Sequence, residues 1–450
     1  MRLLFRGAEV DGRRVDVRVD GTTVLGVSGR LDPLAGEDVI VADGGALLPG
    51  LHDHHLHLHS LAASRTSVDC SGIVECDAFA NALRTAAQEA QPERWLRAVG
   101  YHDDIAGALD RTTLDALVPD RPVRVQHRSG AQWSLNTRGL QLVGLDPTGD
   151  GRILRADEHM RLAHDQPPDL AEIGRELASY GITGVTDATP GLDARAAGNI
   201  VRAVCDGALP QRVHLLGAGL RDDGRPRVTA GPVKVLLPDH ELPDIDVLSE
   251  AIRDAHDDDR GVAVHCVTRE ALVLTVIALQ QCGAHPDDRI EHGAVVPKEM
   301  YGPMAALGVA VVTQPAFIRE RGDTYLRDVT PDDIDLLYPY ASLRGAGIRV
   351  APSSDAPFGP LDPWQVIATA TARTTATGSL VGADERVSVS DALNGYLSGP
   401  DDPGGEPRRV EAGAQADLCL LRTPLSRALR APSRSLVALV IADGQIAYSA

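Results

Sequence analysis

Lysine is almost missing from this chain: of 44 lysine and arginine residues, only Lys234 and Lys298 are lysine. Aromatic residues are scarce too, at 3%, so the core must be built from Ala, Val, Leu and Ile. Positive charge is in deficit, with a net charge of −19. That argues against a nucleic-acid surface, which needs clustered basic residues, and bears on solubility more than on fold. Long apolar runs are absent. The longest, "ALVLTVIAL" at 271–279, is far short of the roughly 20 residues that span a bilayer, so no membrane partner is expected. The start, "MRLLFRGAEV", carries Arg6 and too short an apolar run for a signal-peptide core. The six cysteines, at 70, 76, 205, 266, 282 and 419, form no CxxC pair. Reduced, mostly buried thiols in a cytoplasmic protein are the expectation.

What is present reads as an ordinary globular chain, 43% hydrophobic and 24% charged over 450 residues. That length suits one large α/β barrel or two to three ordinary domains. Both ends alternate apolar and polar residues around Asp-Gly turns, at Asp11-Gly12, Asp20-Gly21 and Asp443-Gly444, which predicts β-hairpins. Between them, eight strand-like runs alternate with helix-like stretches: "GGALLPGLHDHHLH", "GITGVTDA", "RVHLLGAG", "PVKVLL", "GVAVHCV", "DRIEHGAV", "GVAVVTQP" and "IRVAPSSDAP". Several are near-continuous in aliphatic residues, as parallel strands buried on both faces should be. The fold class is therefore α/β, a TIM-type (β/α)8 barrel. Residues of about 60–180 interrupt the alternation and are read as an insertion after barrel strand 1, capping the barrel mouth. A Pro/Gly-rich linker at 398–413 leaves the barrel.

In such a barrel, chemistry gathers at the C-terminal strand ends. The polar residues there are His55 and His57 on the first strand, Lys234 on the fourth, His265 on the fifth, His292 on the sixth and Asp355 on the eighth. Residues two apart on a strand point to the same side, so His55 and His57 can face one metal ion. His52/His54 and His57/His59 have the same spacing and compete for the role. Singly, His265 and His292 read more readily as hydrogen-bonded core histidines than as ligands, and Asp355 reads as a helix N-cap ahead of Pro357.

Lys234 stands in an apolar run, where burial would lower its pKa. A neutral amine can react with carbon dioxide to give a carbamate, a carboxylate on a long arm able to bridge two cations. Arginine stays protonated and cannot. A chain that uses arginine almost everywhere would still need lysine here. The plain alternative is a lysine reaching past the strand end for solvent.

"PGLHDHHLH" resembles the PG-x-x-D-x-H-x-H signature of the amidohydrolase superfamily. The order HxH, strand-four Lys, strand-five His, strand-six His and strand-eight Asp matches residue by residue, and selects His55 and His57 over the competing pairs. "RIEHG", "VTQP", "SSDAP" and "VEAGAQADLCLL" resemble the branch of N-substituted formamide deformylase-like proteins, amidohydrolase family 3. The resemblance implies a small β-sandwich domain from both chain ends, here 1–48 and 408–450, around a barrel over 49–407. It implies two divalent ions, most often zinc. His55, His57 and Asp355 would hold one, His265 and His292 the other, with carboxylated Lys234 and a hydroxide bridging them. The hydroxide would attack a carbonyl while Asp355 carries the proton to the leaving nitrogen. A small-molecule amide, formamide or cyclic amide is the implied substrate. A lactone or ester, or a non-catalytic scaffold role, is the alternative, and a homo-oligomer is a family-level expectation. Where much of the branch has Gly-His in the insertion, this chain reads Ser129-Gly130-Ala131-Gln132-Trp133 after "VQHR". His127, Arg128 and Trp133 are therefore the candidate substrate contacts, with Arg128 suited to a carboxylate.

Overall fold

The computed structural model describes residues 1–89, 94–154, 168–217, 224, 227–238 and 241–450. Alternation at the N-terminus produces β1 (Arg2–Val10), β2 (Arg13–Asp20) and β3 (Thr23–Ser28), an antiparallel meander. At its first turn Asp11 and Gly12 have φ of 48° and 74°, the left-handed pair that a two-residue hairpin loop requires. β4 (Asp38–Val41) joins β1 in parallel. β5 (Leu47–Pro49) leads directly into β6 (Leu51–Leu56), whose six residues are all buried.

Residues His59–Asp169 form a compact unit of their own. It ends before the helix Ala171–Ser179, which belongs to the larger unit. Its sheet contains β7 (Val68–Asp69), β8 (Leu96–Tyr101), β9 (Val123–His127), β10 (Gln132–Leu135) and β11 (Arg152–Leu154). Phe79, Leu83, Leu96, Leu114 and Val123 pack in its core.

The larger unit then runs through β12 (Ile182–Asp187), β13 (Arg212–Leu215), β14 (Val228–Ala230), β15 (Val233–Val235), β16 (Val262–Cys266), β17 (Arg289–His292), β18 (Ala310–Thr313) and β19 (Val350–Pro352). Each of the eight expected runs carries one of these strands or β6. β14 was not foreseen, because three residues with a central Thr229 give no periodic signal. Two parallel sheets result, ordered β14-β13-β12-β6 and β15-β16-β17-β18-β19. Backbone bonds link them at two places. The Lys234 N–H donates to the Leu216 carbonyl at 2.7 Å, and the Asp355 N–H donates to the His55 carbonyl at 2.9 Å. Helices such as Ile245–Asp257 and Arg269–Cys282 alternate with the strands, the latter closed by Gly283 at φ 85°.

The chain ends in β20 (Leu418–Leu421), β21 (Val437–Ala442) and β22 (Gln445–Ser449), which with β5 make an antiparallel sheet ordered β22-β21-β20-β5. Leu3, Phe5, Val17 and Val19 from the first sheet share one apolar cluster with Leu418, Leu420 and Ile441 from this one. Only Cys70, Cys266 and Cys419 are buried, whereas Cys76 and Cys205 are exposed. The thiols are thus less sheltered than expected. Among the described residues, no helix is long and apolar enough to cross a membrane.

One buried cation braces this framework. Arg373 is fully buried and donates to the carbonyls of Val381, Tyr338 and Leu337 at 3.0, 2.9 and 2.7 Å. Tyr338 itself has φ 48°, a costly conformation for a bulky residue, so the guanidinium clamps a strained turn. Arg373→Met should lower the free energy of unfolding by about 3 kcal/mol, since buried carbonyls lose their donors. Urea unfolding measures it; a loss below about 1 kcal/mol would mean those carbonyls find other partners.

Candidate metal centre

β6 and the segment after β19 are held in register by their backbones. The Asp355 N–H donates to the His55 carbonyl, and the His57 N–H donates to the Ala356 carbonyl, both at 2.9 Å. Asp53 stiffens the same corner: its Oδ1 accepts from the backbone N–H groups of His55 and Ser354, both at 3.2 Å. Burial pushes that carboxyl up to about 6, against those hydrogen bonds. The competing pair His52/His54 is otherwise engaged. His52 Nε2 pairs with Thr186 Oγ1 at 2.8 Å, and His54 Nε2 donates to the Gly395 carbonyl at 3.0 Å. His59 lies in the helix Leu58–Arg65. Asp355 caps no helix, since the next one, Pro363–Ala372, starts later and is capped by Asp362.

This register brings the side chains together. Asp355 Oδ1 lies 3.2 Å from His57 Nε2 and 3.6 Å from His55 Nε2, and Oδ2 lies 3.9 Å from His292 Nδ1. The His55 ring is 4.9 Å from that of His292, which is 4.5 Å from that of His265. Potential ligand atoms of His55, His57 and Asp355 all fall within 4.8 Å of one another, the one such cluster among the described residues. His55 Nδ1 donates to the buried Glu291 carboxylate, and His292 Nδ1 to Gln314 Oε1 at 2.8 Å. Both rings therefore keep the lone pair on Nε2, the arrangement of a histidine oriented for a metal.

Charge follows burial. Burial, and then the nearby Lys234, push the His55 imidazole down to about 3, and burial lowers His292 as well. Both are neutral and able to ligate. Burial would raise Asp355, but the close approach of His57, His55 and His292 holds it below the usual carboxylate range. Lys234 is 8% exposed, and its Nζ has no hydrogen-bond partner. Burial lowers its pKa, although Glu291 and Asp355 oppose the shift. It does not reach for solvent, unlike the exposed Lys298.

Glu291 was missed from sequence. Fully buried, it pairs with Arg289 on the same strand as well as with His55. The available signal was a charged i, i+2 pair, Arg289 and Glu291, inside a strand-like run. Backbone strain is another feature that sequence hides. His292 and Asp355 have φ of 71° and 52°, a left-handed conformation costing on the order of 1–3 kcal/mol outside glycine.

His127, Arg128 and Trp133 lie within the separate unit 59–169. Trp133 is 4% exposed and packed with Leu135, Leu140 and Val143. The Arg97 and Arg124 guanidinium groups sit over its ring at 5.4 and 5.6 Å. The ring packs in the interior of that unit. His127 Nδ1 pairs with Ser129 Oγ at 2.8 Å, and the Arg128 N–H donates to the Tyr101 carbonyl at 2.8 Å.

The N-substituted formamide deformylase of Arthrobacter pascens is 24% identical, aligning 91% of this chain with 90% of its own. The putative amidohydrolase YtcJ of Bacillus subtilis (strain 168) is 24% identical over 80% of each chain. A crystal structure of an uncharacterized metal-dependent hydrolase from Pyrococcus horikoshii OT3 superposes with a TM-score of 0.77 at 19% identity, covering 94% of this chain and 98% of that one. It shares the fold. The sequence pattern of the amidohydrolase family matches residues 38–448, and the chain belongs to that family.

Proposed function

We propose that this protein is a metal-dependent hydrolase of a small-molecule C–N bond, an amide, formamide or cyclic amide. The carrying observation is the His55–His57–Asp355 cluster beside a buried lysine with no partner. His55 Nε2, Lys234 Nζ and Asp355 Oδ1 are all buried without a hydrogen bond. Native proteins rarely leave such groups unpaired, so the donor set fits divalent cations and argues against a non-catalytic scaffold. We infer two ions, zinc by ligand type, with His55, His57 and Asp355 around one, and His265 and His292 around the other. Lys234, carboxylated by carbon dioxide, would bridge them. When bound, such ions polarise a carbonyl and acidify water. The chain's own residues do the rest. Asp355 accepts a proton from the attacking water and delivers it to the leaving nitrogen, completing R–CO–NH–R′ + H2O → R–COOH + R′–NH2. Glu291 and Gln314 fix the two imidazoles. The backbone links at Leu216–Lys234 and His55–Asp355 support a closed (β/α)8 barrel. The shared core of the terminal sheets supports a small β-sandwich domain.

Metal analysis with a hydrolysis panel of N-acyl and N-formyl amides and matched esters tests the reading. Two bound divalent ions and turnover of amides are expected, both lost on chelation. No metal under any loading condition would overturn it, and turnover of esters alone would redirect it. Lys234→Ala should lose activity and recover part of it with added short carboxylic acids. Lys234→Arg should fare no better, and an active Arg variant would remove the carbamate. Asp355→Asn should lower kcat by roughly 10²–10⁴-fold while retaining most metal. Glu291→Gln should weaken metal binding by about 10–100-fold, read by competition with a chromogenic chelator. Unchanged affinity would make Glu291 a packing residue only.

A further inference from the structure

Aromatic side chains are rare in this chain, with four phenylalanines and eight tyrosines, yet two of each meet beside the metal-ligand candidates. The Phe358 ring is edge-on to the His57 ring at 5.6 Å, and the Phe358 N–H donates to the Asp355 carbonyl at 2.8 Å. Phe317 and Tyr325 pack on Tyr338, with ring centroids 6.0 and 6.3 Å apart. Val267, Val295, Phe317 and Phe358, from the segments following β16, β17, β18 and β19, belong to this one cluster. Those are the strand ends that carry His265, His292 and Asp355, where barrel enzymes build substrate specificity. Val267, Val295, Tyr325 and Phe358 are only partly buried and keep apolar surface to offer.

One cation is set into this patch. The Arg321 guanidinium lies over the Phe317 ring at 3.9 Å, and its Nη2 donates to the Phe358 carbonyl at 2.9 Å. Arg321 is partly buried, and among the described residues it has no ion-pair partner, in a chain with 63 acidic residues. Stacking and the carbonyl bond hold the planar group in place and leave N–H donors unused, the arrangement that suits a carboxylate.

Resting on the hydrolase reading above, we propose that Arg321 binds a substrate carboxylate and that the aromatic patch binds an apolar or aryl group beside it. The substrate class is then an amide bearing a free carboxylate, such as an N-acyl or N-formyl derivative of an apolar amino acid. Hydrolysis would release the amino acid and the short acid. Arg321 is a specificity-determining residue in this scheme and takes no part in bond cleavage.

N-formylphenylalanine and N-formylphenethylamine, which differ only by the carboxylate, provide the test. Their binding to metal-loaded and metal-stripped protein is measured by calorimetry, alongside kcat and KM. Wild type should bind the carboxylate compound at least tenfold more tightly in both states. Arg321→Gln should erase that preference, raising KM for the carboxylate substrate at least tenfold more than for the neutral compound. Arg321→Lys should restore part of it. Equal affinities in wild type, a preference that survives Arg321→Gln, or failure to bind either compound would each overturn the proposal. Should other amides still be hydrolysed by the same preparation, the C–N hydrolase reading would stand without it; should none be, both would fall.

Discussion

Two backbone hydrogen bonds between the end of β6 and the segment after β19 carry the whole site. They join positions about three hundred residues apart in the chain and set two imidazoles against one carboxylate. Without that register, His55 and His57 would be a polar strand end and Asp355 a loop residue. Their cost is visible in the backbone. Asp355 and His292 both take left-handed φ values, which only a well-packed surround sustains.

Around this register the interior is unusually charged for a protein core. Arg289, Glu291, Lys234 and Asp53 are all buried, and each would be prohibitive alone. Arg289 and Glu291 persist because they are coupled. Arg289 neutralises Glu291, which orients His55, while the Arg289 Nη2 donates to the His54 carbonyl at 2.9 Å. A chain that begins in β17 thus reaches across to β6. Such networks cost stability relative to an apolar core; here the return is a ligand set whose tautomers are chosen before any cation arrives.

The division of labour between strand ends and following segments fits the family. The proposed ligands sit at the strand ends, where the sheet holds them. The aromatic patch and Arg321 sit on the segments beyond. Membership of the amidohydrolase family therefore says far more about the bond-breaking residues than about what is bound beside them.

The hairpins at Asp11-Gly12 and Asp443-Gly444, the run of β/α alternation and the six strand-end residues were all legible in sequence, because period, turn chemistry and residue type are local properties. Lys234 stood out by composition alone. Other features belonged to tertiary structure. β14 is too short to have a period. Glu291 reads as one more charge until the fold seats it against His55. Arg321 has no motif at all. The choice between three equally spaced histidine pairs also needs partners, since Thr186 and Gly395 claim His52 and His54. The physical reason is the same each time: side-chain type is written in the chain, whereas burial, pairing and ring tautomer depend on neighbours that only folding supplies.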